Sequence, residues 1–267
     1  MARIARIRTA AGPRHALEQV DGQLLLIEGD LLGDWRATDE AAPANAARLA
    51  PVVPPTIYCI GLNYRKHAEE TGAAIPKYPV LFIKSAGALH HPDQPILIPT
   101  HAPSHKVDYE CELAVVIGRR AKNVRAAEAL DYVLGYTCAN DVSARDWQME
   151  WGGGQFCRGK SFDTFCPLGP VLVTADEIPN PNALDIRTTL NGQTVQSANT
   201  SDMIFDVRTL IEFLSADCTL EPGSVILTGT PSGVGAARKP PLWMQPGDEV
   251  CVEIAGIGTL RNPLAAS

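Results

Sequence analysis

Long apolar runs are missing from this chain. The longest, such as Leu113 to Ile117, fall far short of the ~20 residues a helix needs to cross a bilayer. The first ten residues interleave Arg3, Arg6 and Arg8 with apolar residues and so lack the continuous apolar core of a secretory signal. A basic surplus is missing too. The net charge of -7 argues against nucleic acid or an anionic membrane as partner, because both require a basic face. The seven cysteines are odd in number, scattered and free of any C-x-x-C pair, which disfavours a zinc ribbon or a disulfide framework. Cysteines set among apolar neighbours, as in Ile57-Tyr58-Cys59-Ile60, read as small buried hydrophobes in a reducing compartment. These absences together predict a cytoplasmic protein. An acidic chain repels an acidic substrate, so a site for an anion must supply its own positive charge from a metal or from inward-facing Lys and Arg.

What is present suffices for a full core. A chain of 267 residues, 45% hydrophobic and 20% charged, is expected to form one main domain with a small appendage. The first forty residues read as short strands with turns, for example Gln23 to Glu28 closed by Gly29-Asp30. Residues 41–55 carry Pro43, Pro51, Pro54 and Pro55 and suit an extended connector. The division expected is therefore a small β-rich unit over 1–54 and a catalytic domain over 55–267. Beyond it, strands are predicted near 56–61, 80–84, 96–98, 108–117, 135–139, 169–174, 186–190, 224–228 and 249–254. Helices are expected near 65–71, 125–130, 142–150 and 205–214, and Gly152-Gly153-Gly154 as a loop. No regular βαβ alternation appears, so the class is α+β, predominantly β.

Three acidic residues stand out. On a strand, Glu110 and Glu112 share one face, their side chains about 7 Å apart. Like charges facing inward at that spacing imply a cation between them, whereas a solvated strand face needs none. Asp141, at the end of the strand 135–139, either completes an oxygen set or caps the helix after it. Oxygen ligands favour Mg2+, Mn2+ or Ca2+ over zinc. His67 and Glu70 lie three apart on one helix face, where the carboxylate can orient the imidazole to deprotonate a water; an exposed polar turn would carry the same letters. Lys160, flanked by small and apolar residues, is either an anion anchor or a surface lysine, and Arg145 with Gln148 presents the same choice. The strand end and glycine-rich turn from Thr228 to Gly235 offers backbone N–H groups and the Thr230 hydroxyl to a carboxylate.

Taken in order, five segments resemble the fumarylacetoacetate hydrolase family over residues 56–265. They are Gly61-Leu62-Asn63-Tyr64 with His67 and Glu70, Tyr109-Glu110-Cys111-Glu112-Leu113, Asn140-Asp141-Val142-Ser143-Ala144-Arg145-Asp146, Gly159-Lys160-Ser161-Phe162-Asp163, and Thr228 to Gly235. The resemblance implies a mixed β-sandwich roll, usually a homodimer. It implies Glu110, Glu112 and Asp141 as ligands of Mg2+ (or Mn2+ or Ca2+), His67, Glu70 and Lys160 as catalytic groups, and Arg145, Gln148 and Thr230 as substrate contacts. The segment carrying His67 is implied to close as a lid. The activity expected is catabolic hydrolysis of a C–C bond in a 2,4-dioxo acid of the acylpyruvate or fumarylpyruvate type, releasing pyruvate and a carboxylic acid. Two alternatives stand beside it: an isomerase of the 2-hydroxyhepta-2,4-diene-1,7-dioate type or an oxaloacetate decarboxylase on the same scaffold, and a catalytically silent metal- or carboxylate-binding protein.

Overall fold

The computed structural model describes residues 2–267; Met1 lies outside the described residues. Its spine is a 12-stranded sheet. Ten strands follow one another across it: Trp35–Ala41, Leu24–Gly29, Gly12–Glu18, Arg3–Thr9, Cys166–Thr174, Val133–Asn140, Cys111–Ile117, Val225–Leu227, Ile57–Gly61 and Val80–Lys84. Neighbours on this path run antiparallel except Val225–Leu227 and Ile57–Gly61, which are parallel. The short strands Arg48–Leu49 and Leu89–His90 pair off the path. The N-terminal strands continue the sheet directly, since Arg3 and Ile4 pair with Val173 and Leu172.

A five-stranded sheet, in the order Gln193–Asn199, Asp185–Leu190, Glu249–Ile254, Gly258–Ala266 and Ile96–Ile98, packs against this spine. The strand Cys111–Ile117 shows how the sandwich is sealed. Its odd residues Cys111, Leu113, Val115 and Ile117 pack with Ile186, Val252, Ile254 and Leu260, whereas Ala114 and Val116 enter a second core with Leu172, Val225 and Leu227. Buried apolar side chains of this size contribute about 1.5–3 kcal/mol each. The segment turns wholly apolar beyond Glu112 because both faces of a central strand are covered.

The architecture is that of an α+β, predominantly β sandwich, as expected. Local details differ. The predicted strand 108–117 is interrupted at Tyr109 and Glu110, and Val107–Asp108 instead pairs with Ser143–Ala144 in a separate ribbon. That pairing also replaces the start of the helix expected over 142–150, so Asp141 caps no helix; the helical turn begins at Asp146 and is a π-helix to Trp151. The stretch near 125–130 forms a 3-10 helix over Ala126–Tyr132. Cys59, Cys111, Cys138 and Cys166 are buried, but Cys157 and Cys218 are exposed. The helix expected near 205–214 is Val207–Ser215, which is amphipathic, with Val207, Leu210, Ile211 and Leu214 buried and Asp206 accepting from the Thr209 N–H at its start.

Candidate active site

The three acidic residues converge. Glu110 directly precedes the central strand Cys111–Ile117, Glu112 is its second residue, and Asp141 directly follows the neighbouring strand, where Cys111 pairs with Asn140. All three are buried, and ligand oxygens from the three lie within 4.8 Å of one another. Two lysines meet them. Lys160 Nζ donates to Glu110 Oε2 at 2.6 Å and to Asp141 Oδ2 at 2.7 Å, and Lys84 Nζ donates to Asp141 Oδ1 at 2.5 Å. Lys160 ends the short helix Cys157–Lys160. That helix can lie against the π-helix only because Gly159 has no Cβ, which would stand 2.6 Å from the Gln148 nitrogen and 2.8 Å from the Ala144 oxygen.

Arg145 and Gln148 occupy the same floor. Arg145 Nε donates to Asp108 Oδ2 at 2.9 Å and Nη1 to Gln148 Oε1 at 2.9 Å, while Nη2 stands 2.7 Å from Glu110 Oε1. Asp108 is fully buried and also accepts the N–H groups of Gly235 and Ala236, which ties Arg145 to the glycine-rich turn. Thr230 in that turn is buried and accepts from Gln196 Nε2 at 2.9 Å. His67 Nδ1 lies 2.7 Å from Glu70 Oε1, and the Gly233 N–H donates to Glu70 Oε2 at 2.9 Å. All six sequence-selected catalytic and substrate-contact residues except Glu70 line one cavity of about 410 Å³, whose remaining walls include Phe82, Phe156, Val80 and Met149. Glu110 lines it as well, with Glu112 and Asp141 buried behind.

The electrostatics are unequal. Burial pushes the Glu110 carboxyl up, but Lys160 and Arg145 outweigh burial and hold it at about 2. Burial, with the charges of Asp141 and Glu110, pushes Glu112 well above the usual carboxylate range. Burial opposes the charge on Lys160, but Asp141 and Glu110 prevail and raise its pKa. Among the described residues only the Gly229 N–H, 2.6 Å away, is directed at Glu112. This undercompensated carboxylate among three convergent oxygens is what a hard divalent cation would satisfy, and an oxygen accepting from an ammonium keeps a lone pair for coordination. The donor set therefore fits such an ion.

Sequence reasoning missed Lys84 and Asp108. Both carried a signal: Phe82 and Lys84 share the inward face of Val80–Lys84, and Asp108 shares the parity of Glu110 and Glu112. A lysine closing an apolar strand is rarely left unpaired in the interior.

Residues 56–265 match the family model described as fumarylacetoacetate (FAA) hydrolase, C-terminal. The chain belongs to the fumarylacetoacetate hydrolase family. A second model, described as Rv2993c-like, N-terminal, matches residues 2–51. Among curated proteins of known sequence, the mitochondrial oxaloacetate tautomerase of Xenopus laevis is 50% identical over 222 residues, covering 83% of this chain and 69% of that protein. A crystal structure of 2-hydroxyhepta-2,4-diene-1,7-dioate isomerase from Mycobacterium marinum is 40% identical, superposes with a TM-score of 0.87 and covers 100% and 99% of the two chains. The fumarylacetoacetate hydrolase of Exiguobacterium antarcticum is 36% identical with a TM-score of 0.90 over the whole of both chains. The chain thus belongs to a family of enzymes, and no helix among its described residues is long and apolar enough to cross a membrane.

Proposed function

We propose that the chain catalyses keto–enol proton transfer in small 2-oxo acids, as a tautomerase of oxaloacetate type or an isomerase of 2-hydroxydienedioate type. The observation that carries this reading is the juxtaposition of a His–Glu pair and a carboxylate–lysine–arginine floor on one cavity, in a chain half identical to an oxaloacetate tautomerase. It displaces C–C hydrolysis of a 2,4-dioxo acid as the first expectation, because the tautomerase and the isomerase, named for movement of a proton, are more similar in sequence to this chain than the hydrolase is. Decarboxylation of oxaloacetate would need the same enol stabilisation.

The residues divide the work. Arg145, Gln148 and Lys160 bind the 2-oxo carboxylate end, drawing an anion into a protein of net charge -7. A divalent cation held by Glu110, Glu112 and Asp141, most simply Mg2+, with Mn2+ or Ca2+ as alternatives, supplies Lewis acidity to the 2-oxo group when bound. Glu70 accepts the Nδ1 proton of His67, which leaves Nε2 as the base toward the cavity. Nε2 takes the proton from C3, and the C–H electron pair forms the C2–C3 double bond as the carbonyl pair moves onto oxygen. Return of that proton to the enolate oxygen gives the enol; its return further along a conjugated chain gives the isomer. Thr230, fixed by Gln196, bounds the far side. Apolar walls exclude water from the enolate.

We assign the small N-terminal β-rich unit to residues 1–54, a reading supported by the separate match to 2–51. A homodimer is part of the proposal, favoured by Ile75, Tyr78, Leu81 and Ile83, large apolar residues exposed on and beside the edge strand. Several relatives are named as mitochondrial, so the cytoplasmic assignment finds no support among them.

The test is deuterium incorporation at C3 of oxaloacetate, followed by proton NMR in D2O, alongside ultraviolet decay of the enol. Accelerated exchange that is abolished by EDTA, restored by Mg2+ or Mn2+, and lost in His67→Ala without loss of metal binding is expected. Pyruvate release from acylpyruvates without C3 exchange would return the assignment to the hydrolase.

A further inference from the structure

The His67–Glu70 pair does not end at Glu70. Glu70 Oε2 accepts from the Gly233 N–H, and the carbonyl of that same residue accepts from the Tyr109 hydroxyl at 3.1 Å. Arg238 closes the set: its Nε donates to Tyr109 Oη at 3.1 Å and to the Gly233 oxygen at 3.4 Å, and its Nη2 donates to the Val195 oxygen at 2.7 Å. Gly233 is held at φ +101°, and a Cβ there would stand 2.3 Å from the Val195 oxygen, so only glycine fits between these anchors. Tyr109 is fully buried and lies between Asp108, which latches Arg145, and Glu110.

Gly233 is thus gripped through its carbonyl and, on the other side of its Cα, presents its N–H to the carboxylate that orients His67. The helix Arg65–Thr71 needs such help, being two turns long with no side-chain cap of its own at Tyr64. We propose that Tyr109 and Arg238 are positioning residues for proton transfer, acting through the backbone of Gly233, from its carbonyl across the crowded Cα to its N–H, to fix Glu70 and hence the His67 imidazole at the cavity. They touch no substrate. The inference rests on the proposed role of His67 as the base.

The experiment uses the full-length protein in Arg238→Met, Arg238→Lys, Tyr109→Phe, Glu70→Gln and the Arg238→Met/Glu70→Gln double variant. Two readouts are taken: steady-state proton transfer on oxaloacetate, and amide hydrogen exchange of segment 229–235. Arg238→Met is expected to lower kcat about tenfold with KM within about twofold of wild type, since misplacement of a base costs rate without removing a binding contact. Arg238→Lys should recover part of the loss, and the double variant should be no slower than Glu70→Gln, because both act on one element. Exchange at Gly233 should quicken in Arg238→Met and in Tyr109→Phe, each retaining the wild-type melting cooperativity. Losses that multiply in the double variant, or Gly233 exchange unchanged in both single variants, overturn the relay. If the wild type shows no proton transfer at all, the functional reading fails by itself while the exchange data still decide whether the relay exists. Tyr109→Phe, which deletes one hydroxyl, decides it if Arg238→Met does not fold.

Discussion

Glu112 is the residue whose state reports on the cation. Its folded pKa stands above that of the unfolded chain, so the stability it contributes is complete below pH ~4.5 and is lost as pH rises through the folded value. The metal-free protein is therefore expected to weaken toward neutral pH on account of this group, and Glu112→Gln to be at least as stable as wild type there. Added Mg2+ should raise the melting temperature of the stripped wild type and leave that of Glu112→Gln unmoved, which thermal denaturation in EDTA and in excess Mg2+ will show. Lys84 makes the converse case. It is buried and spans Asp141 Oδ1 and the Val142 carbonyl, at 2.5 and 3.1 Å. Lys84→Met leaves a carboxylate short of a partner in the interior and is expected to cost about 3–5 kcal/mol in urea denaturation.

At the scale of an element, the helix Arg65–Thr71 illustrates stability borrowed from outside. Seven residues do not hold a helix in water. Its free Lys66 N–H is met at 3.1 Å by Asp202, more than a hundred positions along the chain, and Arg65 Nη1 donates to the Met203 carbonyl at 2.6 Å. Asp202 therefore acts as an N-cap supplied from another segment. Asp202→Ala should destabilise this helix by about 1 kcal/mol, seen as faster amide exchange over 65–71, with a fall in turnover because His67 rides on it. The same borrowing shortens the helix expected near 142–150: Ser143 and Ala144 pair instead with Asp108 and Val107 in a two-stranded ribbon.

Over the whole molecule, histidines tie the N-terminal unit, one to the main body and one to its own connector. The Ala50 N–H donates to His91 Nδ1 at 3.1 Å, and His15 Nε2 lies 3.0 Å from the Pro51 carbonyl. Burial holds His91 below the ordinary histidine value, with Arg6 and Arg8 adding to the effect, and burial does the same to His15. A depressed folded pKa means stability that is present above pH ~6.5 and is lost as pH falls below it. Melting temperature is expected to drop between pH 7 and 5, and His91→Asn to flatten that slope; an identical slope in the variant would remove His91 as the cause.

Letters and spacing alone determined the composition class, the strand-rich plan and the identity of the chemically distinctive residues, because type and order survive in one dimension. Glu110 and Glu112 were legible as a pair since strand geometry fixes which side chains share a face. Their meeting with Asp141 follows from antiparallel pairing of Cys111–Ile117 with Val133–Asn140, and the ammonium of Lys84 comes from the far edge of the sheet. Contacts between residues so distant along the chain depend on register and on the packing of two sheets, which no local pattern encodes. Tertiary structure alone decided that the acidic trio is buried, that two lysines and an arginine face it, and that His67 is held through the backbone of Gly233, which Tyr109 and Arg238 fix.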